Sequence, residues 1–452
     1  MDSHLLLQMI IASLSATVLY SLIGFIPGTD ETSVLMPVSL ALILGGIQPI
    51  VVLSFFVSAF VTLGLMNLMP ALIANLPGGV LSTPMIEASL IVKKHGRTSI
   101  MLKKAAVGSL IGVVIALVSS LLIAKLISPF TDHISQYASW IFIAGAIFLS
   151  LISQAKLLSL ISIIPFAILF QGLRALYWQT GAVPADKTVT TSFFLGITVA
   201  PLLLSLFSLL NTKERKKMET QTFNTMNIPL DQKNNWSLNN PFKALTKKEF
   251  ASTSLSAFLA NFLFVLSPVG LIVLFGETMS KKETDELKQA ELKITVMSSL
   301  AQATYLSGIM ISIIALGVPI APSAIGPGAA FFESPPVFSI GSTITDMYSA
   351  PMLMTAFVIG SLLAIGLVYL LATTFAERLT LFVLTKIPHE AMLALFISLV
   401  ILLSYIDAGL INVFGILLIG VICGTLNRLG VGYGVQFMSL YAAPFIMTLL
   451  TK

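Results

Sequence analysis

The sequence predicts an all-α polytopic membrane protein, with roughly 10–12 transmembrane helices or half-helices. They fall into two related halves with Pro/Gly-broken hairpins. Three observations predict this. The 452 residues are 56% hydrophobic and only 10% charged, where a soluble domain carries about a quarter charged residues. The charges cluster and leave solid apolar runs of about 20 residues, long enough to cross a bilayer. Proline and glycine interrupt several of those runs, and broken backbone survives at membrane depth only inside protein or beside a water-filled cavity. The runs do not alternate polar with apolar, which excludes a β-barrel.

The first run, Leu5 to Gly24, leads into the turn-rich stretch Phe25 to Pro37. The first helix is expected to be retained, because MDSH lacks a basic cluster and a Pro-Gly turn stands where a cleavage site would. Apolar runs follow at Val38 to Leu44 and Ile50 to Leu68. Next come a break at Asn75 to Gly79 and an amphipathic piece, Met85 to Val92. Lys93, Lys94, Arg97, Lys103 and Lys104 then form a basic cluster with no acid between them, assigned to the cytoplasm. Spans are expected at Ala105 to Ile127, Trp140 to Ile152, Leu157 to Leu173 and Ser192 to Leu210.

Thr212 to Glu249 is the long polar segment, with eight Lys/Arg and four Asp/Glu. Four crossings separate it from the first basic cluster, so both lie on one side. It divides the chain into an N-terminal transmembrane half at 1–211, a cytoplasmic basic linker at 212–249 and a C-terminal transmembrane half at 250–452. The second half opens with a span at Thr253 to Leu274. The loop Glu277 to Lys293 holds four Lys and five acids and fits the external side. A span at Thr295 to Leu316 runs into Gly317 to Pro336, where five prolines forbid a continuous helix. Later spans are expected at Pro351 to Thr373, Met392 to Ile406, Leu410 to Leu426 and Val435 to Leu450, with Asp407 between two of them.

The breaks carry the candidate site. After the first Pro-Gly turn, Pro27, Gly28, Thr29, Thr32 and Ser33 offer hydroxyls and a helix N-terminus whose free N–H groups attract an anion. Asp30 and Glu31 are candidates to hold a coupling cation or proton, since ionisable groups near membrane depth are costly. Aspartate and threonine also serve as ordinary N-caps. In the second break, Asn75, Pro77, Gly78 and Gly79 allow close backbone approach, and Ser82 and Thr83 offer hydroxyls to a substrate. In the third, Gly317, Pro319, Ser323, Gly326, Pro327 and Gly328 leave backbone amides open to a ligand. Asp346 is a further candidate for the coupling ion or an N-cap.

Several motifs together resemble the large membrane subunit, the permease, of the tripartite tricarboxylate transporters. Asn75, Pro77 and Gly78, followed by Lys93, Lys94 and Gly96, are similar to that family's broken helix and basic turn. Gly24, Pro27 and Gly28 resemble its early turn. Leu316, Gly317, Val318 and Pro319, then Pro327 and Gly328, resemble its second-half break. The stretch FGILLIGVICGTLNRLGVGYG, with Gly415, Gly424, Arg428 and Gly430, resembles its C-terminal helix and basic turn. Thr29, Asp30, Glu31, Gly79, Val80 and Ile320 depart from the pattern, and all stand at the breaks. The resemblance thus carries the fold further than the substrate.

The expectation is a secondary transporter of a small organic anion, a carboxylate, working by alternating access. Cation coupling, by Na+ or H+, is expected because the chain has no GxxxxGK[ST] phosphate loop. No other cofactor, catalytic residue or metal cluster is expected: HExxH, GxSxG and CxxC are absent, and the lone Cys423 reads as a buried apolar residue. A channel or a flippase for a lipid-linked substrate is the competing reading. It would need a basic lining, and the broken segments carry no Lys or Arg. The resemblance implies a multi-pass protein of the prokaryotic cell membrane. It also implies a small membrane subunit and an extracytoplasmic solute-binding protein as partners, and a homodimer; a nucleic-acid partner is not expected.

Overall fold

The computed structural model describes residues 3–26, 31–74, 79–130, 136–184, 189–210, 212, 244–332, 344–386 and 389–451. Among them no strand occurs, and eight helices are long and apolar enough to cross a bilayer. The all-α class expected from the sequence is therefore observed.

The first half holds α1 (Ser3–Ile23), α2 (Glu31–Leu44), α3 (Pro49–Met66) and α4 (Leu68–Ala74). It continues with α5 (Ile86–Lys94), α6 (Thr98–Ile127), α7 (Ala138–Ile152), α8 (Lys156–Gln179) and α9 (Thr190–Leu210). The second half holds α10 (Lys247–Phe262), α11 (Pro268–Ser280) and α12 (Glu286–Ile311), which ends in a π-helical turn at Ser312–Leu316. After it come α13 (Pro322–Ile325), α14 (Ile344–Met347), α15 (Ala350–Thr374), α16 (Ala376–Lys386), α17 (His389–Arg428) and α18 (Tyr433–Leu450). Helix α17 breaks at Ala408 and Gly409, where φ reaches 70°. Asp407 thus divides two segments, as expected.

Two helices form the centre. Every residue of α3 and α4 is buried, and so is nearly all of α12, while most other spans leave half or more of their residues to lipid. An apolar helix with no exposed face must sit inside the bundle. The two centre helices cross antiparallel. Gln302 Nε2 donates to the Val61 carbonyl at 3.0 Å, and the Phe60 and Tyr305 rings stand 5.3 Å apart. Each also runs along a helix of the opposite half, α12 on α6 and α3 on α15. At Gly112 a Cβ would collide with the Ser299 carbonyl, and at Gly360 it would lie 2.7 Å from that of Ser54. Small residues permit this backbone proximity where lipid gives helices no hydrophobic reason to associate.

The element order repeats. A helical hairpin precedes each central helix, a break follows it, and a crossing helix comes next: α6 in the first half, α15 in the second. Helix α1 runs parallel to α3, with Thr17 and Ser58 hydroxyls 2.8 Å apart and Ser13 Oγ bonded to the Ser54 carbonyl at 3.3 Å. Tyr20 Oη donates to the Val34 carbonyl at 3.0 Å and ties α1 to the returning α2. In the second half, α10 runs beside α6, where Asn261 Nδ2 donates to Ser119 Oγ at 2.5 Å. Helix α11 then returns beside α12.

That return corrects one expectation. Thr253 to Leu274 is a hairpin turned at 263–267, and the loop Glu277 to Lys293 comes back to the face it started from. Lys248 Nζ bonds Glu283 at 2.7 Å, and Lys293 pairs with Glu277. The loop therefore shares a face with Lys104 and Glu249 and does not lie opposite them. Its balanced charge gave the wrong side because the positive-inside tendency counts basic residues and is blind to acids that pair them.

On the same face a buried charge cluster joins the halves. Lys104 Nζ lies 2.5 Å from Glu249 and 2.7 Å from Glu291, and Arg97 Nε is 3.2 Å from Glu291. Thr246 and Glu249 also form a capping box that starts α10. Two cations and two carboxylates leave no net charge. Removing Lys104, Glu249 or Glu291 strands a buried charge and costs about 3–5 kcal/mol, whereas Arg97 is more than a third exposed and contributes less.

Burial raises the Glu249 carboxyl, but bonds from Lys104 and Thr246 outweigh it and hold it below its ordinary 4.5. A depressed carboxylate stabilises fully above its unfolded value and loses that effect as pH falls through the folded one. Glu249→Gln should therefore lower the unfolding midpoint at neutral pH, and the gap from the native protein should close in strong acid. For the topology, Lys247→Cys and Lys282→Cys in a Cys423→Ser background should react with an impermeant maleimide from the same side. Labelling from opposite sides would refute the hairpin.

Candidate functional site

Each hairpin tip packs on a central helix just before that helix breaks. Gly24 opens the first tip, where a Cβ would come 2.5 Å from Met66 Cβ and 3.4 Å from the Asn67 nitrogen. Glycine is needed because the tip lies flat on the step between α3 and α4. Across that step Asn67 Nδ2 donates to Glu31 Oε1 at 3.3 Å. Glu31 is the first residue of α2 and is 4% exposed. A carboxylate there benefits from the positive end of its own helix.

The second tip mirrors this with the roles exchanged. Here the glycine is on the central helix: a Cβ at Gly308 would stand 2.5 Å from Ser323 Oγ, 2.9 Å from Ala321 Cβ and 3.7 Å from the Phe264 carbonyl. Gly308 lies seventeen residues past Glu291, so the tip reaches about 25 Å along α12 from the charge cluster. Ser267 caps α11 at this tip and accepts from the Gly270 nitrogen at 3.4 Å.

The hairpins enter from opposite faces, because α1 is parallel to α3, α10 follows α12, and α3 and α12 are antiparallel. Their tips flank the contact between Gly64 and Gln302. Met66 lies about 3 Å beyond it along α3, and Gly308 about 9 Å beyond it along α12. At each tip a helix begins, α2 at Glu31 and α11 at Pro268. Two helix N-termini thus begin near the level of that contact, that of α2 buried at Glu31 and that of α11 partly exposed at Gly270.

The sequence-derived site residues fall as follows. Pro27, Gly28, Thr29, Asp30, Asn75, Pro77 and Gly78 lie outside the described residues. Thr32 and Ser33 stand in the first turn of α2. Gly79 is buried, and Ser82 is committed to it: its hydroxyl donates to the Gly79 carbonyl at 2.8 Å and accepts from the Gly79 nitrogen at 3.2 Å. Thr83 is exposed and lies 3.4 Å from the same carbonyl.

Gly317 caps the π turn with φ 62°, a left-handed conformation that favours glycine. Pro319, Ser323, Gly326, Pro327 and Gly328 are buried in the re-entrant segment behind it, which ends at Phe331 packed edge-on against Phe56 of α3 at 5.2 Å. This break is interior, as a ligand path requires. Asp346 is exposed, and neighbouring Tyr348 reaches the backbone of Ile50. It therefore sits at the start of α3, the end remote from Glu31, and the structure does not bring these two acids together.

Sequence reasoning missed the second tip, Leu263 to Ser267, and with it Asn67, Asn261, Ser267 and Gln302. The signals present were a Ser-Pro pair inside an apolar run and a buried amide in each central helix or hairpin.

Opposed hairpins around broken central helices define a multi-pass helical membrane protein whose interior carries interrupted spans. The model of the tripartite tricarboxylate transporter TctA family matches residues 10–435, and the chain belongs to that family. The resemblance noted in the sequence is thereby borne out. No curated protein and no solved structure matched the chain.

Gly308→Val should force Ser323 and the second tip away from α12. The expected outcome is transport reduced by about tenfold or more, equivalent to ~1.4 kcal/mol, in protein that still elutes as a single folded species. Gly366→Val, where a Cβ meets nothing within 4 Å, is the control and should transport normally.

Proposed function

We propose that this chain carries a small organic anion, a carboxylate, across the membrane by alternating access, with the step coupled to Na+ or H+. The observation that supports it most is the pair of hairpin tips, entering from opposite faces and meeting the central helices on either side of one crossing. Each tip presents a helix N-terminus, and N-termini of broken helices favour anionic substrate groups. The described part of the third break, from Gly317 to Phe332, adds interior backbone and no cation, which suits a site that binds by dipoles and hydroxyls and releases readily.

In this reading Glu31 is the coupling group of the first tip. It is buried, and Asn67 holds it against the step where α3 gives way to α4. A proton or cation arriving at Glu31 would alter the packing of tip one on α3 and so couple to closure over the anion. Pro27, Gly28, Thr29, Thr32 and Ser33 in the first break, Asn75, Pro77, Gly78, Gly79, Ser82 and Thr83 in the second, and Gly317, Pro319, Ser323, Gly326, Pro327 and Gly328 in the third remain the proposed substrate contacts. Membership of a tripartite family supports a small membrane subunit and an extracytoplasmic solute-binding protein as partners, and a cell-membrane setting. A homodimer is part of the same proposal.

The test is uptake into proteoliposomes holding this chain and its partner subunits, with a panel of labelled mono-, di- and tricarboxylates under sodium or pH gradients. Saturable uptake of at least one carboxylate under one gradient is expected. Glu31→Gln should lower gradient-driven uptake by about tenfold, ~1.4 kcal/mol, and flatten its cation dependence. Failure of every carboxylate under every gradient would overturn the anion assignment.

A further inference from the structure

The two halves of the chain do not close fully on one another beside the buried charge cluster. There α6 and the start of α10 enclose a cavity of about 310 Å³. Val107, Leu110 and Ile111 of α6 wall it, together with Leu245 and Phe250 from the α10 side. Close-packed proteins hold few voids of this kind, because each wall forfeits its dispersion contacts. At the edge of a bundle the bilayer's own hydrocarbon can restore them.

The surroundings are graded in polarity. Lys247 lines the cavity at its shallow end. Lys103 stands one turn before Val107 on the same stripe of α6, a spacing of about 5–6 Å between Cβ atoms. Neither lysine has an ion-pair or hydrogen-bond partner among the described residues, whereas their neighbours Lys104 and Lys248 are both paired with carboxylates. The acids close by are engaged: Glu249 and Glu291 by Lys104, and Glu283 by Lys248. The capping box occupies the Glu249 amide and leaves those of Lys247 and Lys248, at the positive end of α10, to an outside acceptor. Deeper in, the α6 stripe continues as exposed Val114, Val118 and Leu122. Cation at the membrane surface and hydrocarbon below it is the order in which a phospholipid is built.

We propose that this seam binds one anionic phospholipid, its phosphate held by Lys103, Lys247 and the first turn of α10, and one acyl chain lying in the cavity. Basic pockets between membrane helices, on the face rich in Lys and Arg, favour acidic headgroups. A helix about 10 Å across with its side chains is too thick to enter, and a single hydrocarbon chain is not. The walls come from α6 of the first half and α10 of the second, so the lipid bridges the halves next to the Lys104 cluster. This inference is independent of which solute the protein carries.

The test uses purified full-length protein in a non-ionic detergent. Its unfolding midpoint is followed as dioleoylphosphatidylglycerol is added, with dioleoylphosphatidylcholine as the zwitterionic control. The anionic lipid should raise the midpoint saturably, and the zwitterionic lipid should not. Lys103→Gln and Lys247→Gln should each raise the half-saturating concentration by about fivefold, equivalent to ~1 kcal/mol. Lys125→Gln, at the other end of α6, should leave it unchanged. Leu110→Trp, which fills the cavity, should abolish the response while the lipid-free protein still unfolds cooperatively; if that variant does not fold, the lysine variants decide. Glycerol phosphate, the headgroup without chains, should have no effect at the same concentrations. Equal responses to the two lipids, an undiminished response in both lysine variants, or an equal response to glycerol phosphate would overturn the site. Indifference to both lipids would also overturn it and would leave the cavity to the 213–243 segment or to a partner protein.

Discussion

The bond from Gln302 to the Val61 carbonyl marks the contact on which the rest of the molecule depends. It fixes where two wholly interior helices cross, and a side-chain amide meeting backbone inside a membrane has no water to compete for it. Everything else is placed by reference to that crossing. The hairpins lie along the two helices, the breaks begin beyond it on each side, and the long helices α6 and α15 clasp the pair from opposite halves. A bundle assembled only by apolar packing would have many registers available. One amide and the small residues at Gly112 and Gly360 exclude most of them.

Much of the fold was legible in the sequence because apolar length is a strong signal. Spans such as Ala105 to Ile127 and Pro351 to Thr373 carry a solid run with charges at or near their ends, and hydrophobicity alone places them. The breaks at Gly24 and Gly317 were equally readable, since proline and glycine leave a helix no alternative. The α10–α11 hairpin was not. Leu263 to Ser267 contains no proline; Pro268 follows it, and proline suits the first turn of a new helix as well as a kink in an old one. The decisive information is long-range. Lys248 meets Glu283, and Lys104 meets Glu291, and no local pattern announces such pairs.

The candidate site was legible in part. The glycines and prolines named the broken segments, and the structure places the third of these inside the bundle. The hydroxyls were less telling. Ser82 looked available but is bound to Gly79, whereas Ser323, of the same chemical type, has no partner. Composition cannot separate a serine that closes its own turn from one that faces an opening. The acids divided in the same way: Glu31 lies buried against Asn67, while Asp346 sits exposed at the far end of α3.

The Lys104 cluster has a consequence for the birth of the protein. Lys104 finds its partners 145 and 187 residues later in the chain. At ordinary synthesis speeds the ribosome needs about 7–40 s to deliver them. During that interval α6 holds an ammonium without its counter-ions, and its flexible stem must keep the charge at the lipid headgroups. Only when Glu249 and Glu291 emerge can the helix settle to its final depth. The first half is thus a waiting intermediate, and a chain truncated before Glu291 would present the cell with an unfinished membrane protein marked by an exposed charge.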